Sequence, residues 1–332
     1  MYVAKRVLCV VLVGLWVTGF GGRLATAQMT TPSGPQWWPS RWGPDDEAGA
    51  SNWMTPAKVL EAVKLITTGK VYRVGRVYEA GMPARGQRTF RLTIPGMPTG
   101  AARGKNKLIH NDEMVSGELG QVGTQFDGLG HIGVLVGNEG DLNAMRFYNG
   151  VTAADMSSPY GLKKLGIEKV KPFFTRGVLL DIAGYKGRML DKGEEITVAD
   201  VQGTIAKQGL ADVRPGDAVL FNTGWGTLWM QDNARYNNGT PGIGVEVAKW
   251  LVAKQVAYVG SDTWPTEVNP NPDPDLAGPV HIELITKNGI FNHENLDFTE
   301  LVQDKVYEFA YIFVPVPMKG ATGSPGSPIA VR

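Results

Sequence analysis

The chain has 332 residues, with 33 lysines and arginines against 32 aspartates and glutamates, four histidines and one cysteine. So near a balance of charge gives no electrostatic case for nucleic acid or for an anionic membrane as partner. The length is ample to bury a large core.

Taken in order, residues 1–27 read as a cleavable secretory signal: Lys5 and Arg6, an apolar run from Val7 to Phe20, then Ala25-Thr26-Ala27 before Gln28. This predicts a periplasmic or secreted protein with no stable membrane span after cleavage. Cleavage removes Lys5, Arg6 and Arg23 and no acid, leaving 30 basic and 32 acidic residues and a net charge of −2. It also removes Cys9, the one cysteine, so the mature chain can form neither a disulfide nor a thiolate site. Any metal must then be held by oxygen and imidazole.

Residues 28–332 show no internal repeat and no low-complexity linker, and are read as a single catalytic domain. A helix is predicted from Thr55, its N-cap, with Pro56 at the first position, Val59, Leu60, Val63 and Ile66 on one stripe, and Gly69 as the stop. Strands follow at Val71 to Val77, Thr89 to Ile94 and Val178 to Ile182. A second helix spans Thr197 to Gln208, with Asp200 completing a capping box and Gly209 closing it. After a strand at Ala218 to Thr223, a third helix runs from Gly244 to Lys254 with Val247, Trp250 and Leu251 inward, then strands at Val256 to Gly260 and Tyr307 to Val316. Several strands are apolar on consecutive positions, as when both faces are covered, and the alternation with helices predicts a mixed α/β domain. NPNPDPDLAGP, Asn269 to Pro279, is the one loop-like insert of note.

Chemistry concentrates around GTQFDGLGH, Gly123 to His131. Gln121, Gln125, Asp127 and His131 fall at i, i+4, i+6 and i+10 and can line one wall of a pocket. His281 lies thirteen residues before Glu294, with Gly289 between them. Asp127, His281 and Glu294 together would suit a divalent ion such as Zn²⁺ or Mn²⁺, which lowers the pKa of a water and polarises a carbonyl. Against this, His131 and His281 also fit as hydrogen-bonded structural histidines, and Glu294 as a solvated carboxylate; spacing does not decide. His110 and His293 are expected to face solvent, and strand alternation argues against His293 joining Glu294 as a ligand. Gly123, Gly128 and Gly130 suit a tight turn beside a metal. Trp37, Trp38, Trp42 and Trp53 would suit a flat substrate, or serve as core and interface.

GTQFDGLGH resembles a degenerate copy of the H-x-G-T-H-x-D-x-P-x-H signature of the cyclase family of metal-dependent hydrolases, which includes bacterial kynurenine formamidase and isatin hydrolase. RWGPDDEAGASNWMTP, GDAVLFNTGW, PGIGVEVAKWLVAKQVAYVGSDT, HIELITKNGIFNHENL and KGATGSPGSPIA resemble the same family, in order, over nearly the whole mature chain. The resemblance implies a swivelling β/β/α fold, a mixed sheet with covering helices, in dimers or tetramers. It places Asp127, His281 and Glu294 as ligands of one ion and His131 as proton donor and acceptor. Gln121 and Gln125 stand where two further histidine ligands would be, and Leu129 replaces the motif proline. An amide oxygen is a weaker zinc ligand than imidazole, so about one ion per chain is expected.

The implied activity is arylformamidase-like hydrolysis of a carbon–nitrogen amide bond in a small cyclic or aromatic molecule, with Gln121 and Gln125 orienting water or donating to the oxyanion. Lactone hydrolysis, a polyketide-type cyclisation or dehydration with His131 as base, and an inactive periplasmic small-molecule-binding protein are the competing expectations.

Overall fold

Runs of consecutive apolar residues become the middle of a nine-stranded mixed sheet. A computed structural model describes residues 29–332, so the signal segment lies outside the described residues. In chain order the strands are β1 (Val71–Arg73), β2 (Gln125–Asp127), β3 (Phe173–Asp181), β4 (Ala218–Asn222), β5 (Tyr258–Ser261), β6 (Phe291–Glu294), β7 (Glu308–Phe313), β8 (Gly323–Pro325) and β9 (Ile329–Val331). Across the sheet the order is β8-β2-β6-β5-β4-β3-β7-β9-β1. The block β3 to β6 is parallel, and the strands flanking it on either side run antiparallel to their neighbours.

The parallel block is built by three crossovers, the last of which, from β5 to β6, passes through the helical stretch Pro279–His281 and Ile282–Lys287. Helix α1 is Pro56–Val63, α2 is Val198–Gln208 between β3 and β4, and α3 is Val245–Lys254 between β4 and β5. The predicted capping box at Thr197 and Asp200 is present, and Gly209 takes the left-handed conformation that ends α2. Val247 and Leu251 of α3 are buried as expected, and Trp250 is half-buried. All four residues of β5 and of β6 and all but the last of β4 are buried; β4 is apolar over Ala218 to Phe221, as a strand covered on both faces requires, whereas β6 carries Asn292, His293 and Glu294 into the interior.

Three elements differ from expectation. α1 stops at Val63 rather than running to Gly69 and buries Ala62 and Lys58 instead of the apolar stripe, leaving Leu60, Val63 and Ile66 exposed. The reason is ionic: Lys58 Nζ reaches Asp217 at 2.6 Å, and that pairing sets the rotation of the helix. β1 ends at Arg73 because the following backbone packs closely against Ser327, which leaves no room for a Cβ at Gly75. The strand expected at Thr89 to Ile94 forms, as Phe90–Thr93, but pairs only with Met114–Gly117 in an exposed hairpin outside the main sheet. Trp37 and Trp38 pack edge to face, as do Trp42 and Trp53.

Asp217, fully buried, also accepts from Arg176 Nη1 at 2.6 Å and from the Arg214 backbone at 2.9 Å, while Arg176 Nε donates to Glu308 at 2.6 Å. This cluster ties α1 to β3, β4 and β7. Removing one partner from a buried pair strands the other charges. Asp217→Ala should therefore cost about 3–5 kcal/mol in urea unfolding; a loss below about 1 kcal/mol would show that the cluster is not a stabilising tie.

Candidate metal centre

Two short strands lay out the site. β2 and β6 pair antiparallel with Asp127 opposite Asn292, Phe126 opposite His293 and Gln125 opposite Glu294. Side chains alternate along a strand, so Gln125, Asp127, Asn292 and Glu294 form a tile of four on one face. On the other face Phe126 stacks on Phe291 and Tyr258 and meets the rings of Phe173 and His293. Within the tile the carboxylates lie on one diagonal and the amides on the other. Gln125 Nε2 donates to Glu294 Oε2 at 2.5 Å, and Asn292 Nδ2 donates to Asp127 Oδ2 at 3.1 Å and Glu294 Oε1 at 2.9 Å.

His281 comes down onto this tile from a helical segment that Pro279 opens and that widens into a π-helix over Ile282–Lys287, a distortion frequent at functional sites. Its Nε2 lies 3.2 Å from Glu294 Oε1 and 3.6 Å from Asp127 Oδ2. Its Nδ1 is held by Glu267, whose other oxygen accepts from the Val280 backbone at 3.2 Å. A carboxylate behind an imidazole fixes which nitrogen faces the site. His131 Nε2 stands 3.8 Å from Asp127 Oδ1, and Gln121 Nε2 donates to the same oxygen at 3.4 Å.

Burial pushes the carboxyl of Asp127 up, but the imidazoles of His131 and His281 and the Asn292 amide outweigh it and hold the group below its usual range. Glu294 moves the other way, because burial and the neighbouring Asp127 charge outweigh His281 and Gln125. Burial would lower His281, yet Glu267, Asp127 and Glu294 around it raise it well above an ordinary imidazole. For His131 burial prevails over the attraction of Asp127 and lowers the pKa, so the ring is neutral at pH 7 and free to accept a proton.

The residues fit a divalent cation. Asp127, His281 and Glu294 each offer one ligand atom within 4.8 Å of the others. Bonds of about 2.0–2.2 Å put neighbouring ligand atoms about 3–3.5 Å apart, close to the two imidazole–carboxylate distances above. Three amide oxygens, of Gln121, Gln125 and Asn292, are buried there without a hydrogen-bond partner.

The tile opens into a cavity of about 800 Å³ that His131, Gln121, Gln125, His281 and Glu294 line from one side. The Asn269-to-Pro279 insert supplies much of the rest of the lining, together with Arg85, Arg88 and Trp264. The six residues singled out in the sequence thus come together. Others behave differently from expectation. Glu294 is buried rather than solvated, and His293 is fully buried on the aromatic face, beside the hydroxyls of Tyr258 and Tyr311, with its pKa pushed down to about 3 by burial. The amide nitrogens of Gln121 and Gln125 face carboxylates rather than a water or oxyanion position. Of the three glycines only Gly123 has a positive φ; at Gly128 a Cβ would strike the Thr322 carbonyl, and at Gly130 it would meet the movable tip of Leu162. The four N-terminal tryptophans do not line the cavity; Trp264 does.

Sequence reasoning missed Glu267 and Asn292. Asn292 was within reach, since it lies two residues before Glu294 and shares its strand face. Glu267 sits in the irregular segment after β5, where no spacing rule applies.

The family model named Cyclase matches residues 39–268. A crystal structure described as that of a novel cyclase is 33% identical, covers 88% of this chain and 96% of that one, and superposes with a TM-score of 0.76. Isatin hydrolase A from Ralstonia solanacearum, at 19% identity, 84% and 98% coverage and a TM-score of 0.57, shares the fold. So does isatin hydrolase A from Labrenzia aggregata bound to benzyl benzoate, at 18% identity, 79% and 93% coverage and 0.56. No curated protein matches the chain. A family model over more than half the chain and a relative one-third identical along most of its length agree with the mixed sheet: the protein belongs to the cyclase family.

Proposed function

We propose that this protein is a cation-dependent hydrolase that opens a carbon–nitrogen bond in a small cyclic or aromatic amide or imide. The observation that carries the reading is the convergence, on one cavity wall, of a cation-type ligand set with a neutral histidine beside it. Asp127, His281 and Glu294 would hold a divalent ion, which would supply Lewis acidity to a carbonyl and to water. His131 takes the proton from the attacking water as the carbon–oxygen bond forms, and returns it to the leaving nitrogen as the carbon–nitrogen bond breaks, yielding a carboxylate and an amine. Asp127, 3.8 Å away, stabilises the imidazolium formed between the two transfers. Gln125 and Gln121 act as positioning groups that hold the two carboxylates in place through their amide N–H bonds.

The two arginines on the cavity wall support a product carrying a new carboxylate, and Arg85 is steadied with its guanidinium 3.8 Å from the centre of the Trp264 ring. A ring amide also agrees with the name of the isatin hydrolases that share the fold. The signal-like N-terminus supports a periplasmic or secreted site for this reaction.

Elemental mass spectrometry of the purified mature protein should find about one divalent ion per chain, lost in Asp127→Ala. His131→Ala should keep the ion and lose about 10²–10⁴-fold in kcat on whichever formamide, cyclic imide or lactone the wild type turns over; wild-type rates in that variant would overturn the mechanism. Glu267→Gln keeps the shape but removes the charge behind His281. It should weaken cation binding about 10–100-fold by calorimetric titration, and undiminished affinity would show that Glu267 is merely structural.

A further inference from the structure

Asn292 stands closer to the centre than a supporting residue would. Its amide nitrogen lies 3.1 Å from Asp127 Oδ2, 2.9 Å from Glu294 Oε1 and 3.3 Å from His281 Nε2. With the separations of 3.6 Å and 3.2 Å from His281 Nε2 to Asp127 and Glu294, five of the six edges joining these four atoms run from 2.9 to 3.6 Å. A four- or six-coordinate ion with bonds of about 2.0–2.2 Å spaces its adjacent ligand atoms over much the same range. The tip of the amide is therefore one vertex of the ligand polyhedron.

Which end of the amide occupies that vertex decides its chemistry. An –NH₂ group donates and cannot ligate a cation, whereas the carbonyl oxygen can. Here Nδ2 donates to the two carboxylates and lies against His281 Nε2, while Oδ1, in a side chain only 2% exposed, is buried without a partner. A half-turn about the Cβ–Cγ bond exchanges the two ends without moving the backbone. The strand register keeps the tip where it is, because Asn292 is paired directly with Asp127.

We propose that Asn292 is a fourth protein ligand, through Oδ1, and that its amide turns from donating to the carboxylates to ligating when a divalent cation enters. This rests on the reading of Asp127, His281 and Glu294 as a cation site. It makes the centre one imidazole and three oxygens, a set that suits Mn²⁺ or Mg²⁺ better than one richer in imidazole.

The test uses the mature protein stripped with chelator, Mn²⁺ alone as titrant, and a crystal structure of the wild type grown with Mn²⁺. Expected are Asn292 Oδ1 within about 2.0–2.4 Å of the ion and Mn²⁺ binding at least about tenfold weaker in Asn292→Leu, with circular dichroism confirming that the variant folds. An ion more than about 3 Å from Oδ1, or Asn292→Leu binding Mn²⁺ as tightly as wild type or tighter, overturns the proposal and leaves the amide as a donor only. Should the leucine variant not fold, the wild-type crystal structure decides alone. Wild-type protein that binds neither Mn²⁺ nor Zn²⁺ overturns the cation reading itself, and so is distinguished from failure of this inference.

Discussion

The pairing register of β2 against β6 is the constraint on which the site depends. With a side-chain period of two, one register sends both carboxylates and both amides to the face that meets His281, and Phe126 and His293 to the aromatic core. A slip of one residue would bury Asp127 among aromatic rings and expose Phe126. The aromatic cluster prevents it: Phe126 packs within 6 Å, ring centre to ring centre, of Phe173, Tyr258, Phe291, His293 and Phe313. Hydrophobic packing on one face thus fixes the chemistry of the other. β2 has only three residues and is flanked on both sides by paired strands, β6 and β8, so it has no free edge along which to slide.

That arrangement concentrates negative charge in a place with little water. Asp127, Glu294 and Glu267 are all buried within reach of one imidazole. Charges out of water are tolerated when paired and hydrogen-bonded, and the structure meets this with His281 at the centre and amide N–H groups around it. The opposite shifts of Asp127 and Glu294 arise from this crowding: two acids this close, sharing one imidazole, do not both ionise freely. Gln121 and Gln125 each donate an amide N–H to one of these carboxylates.

Much of this was legible in the chain, and what was not has definite causes. The three main helices and the strands β3, β4 and β5 followed from caps, periodicity and apolar runs, whereas β2 and β6, short and rich in polar residues, did not. The extent of α1 did not, because the tie between Lys58 and Asp217 spans 159 positions and overrides the local apolar stripe. The ligand triad and His131 emerged from the resemblance in GTQFDGLGH and HIELITKNGIFNHENL rather than from spacing. His293 was misplaced because a histidine beside polar residues looks solvent-facing until its strand partner, Phe126, is known. Glu267 needed the path of an irregular segment, which no local rule describes.

The insert from Asn269 to Pro279 lines part of the cavity, and no strand of the nine-stranded sheet runs through it. Loops tolerate change that packed strands do not. The cavity thus joins a part that can be rewritten cheaply to one that cannot: a substitution in the insert leaves the sheet intact, whereas one in β2 disturbs the five rings packed around Phe126.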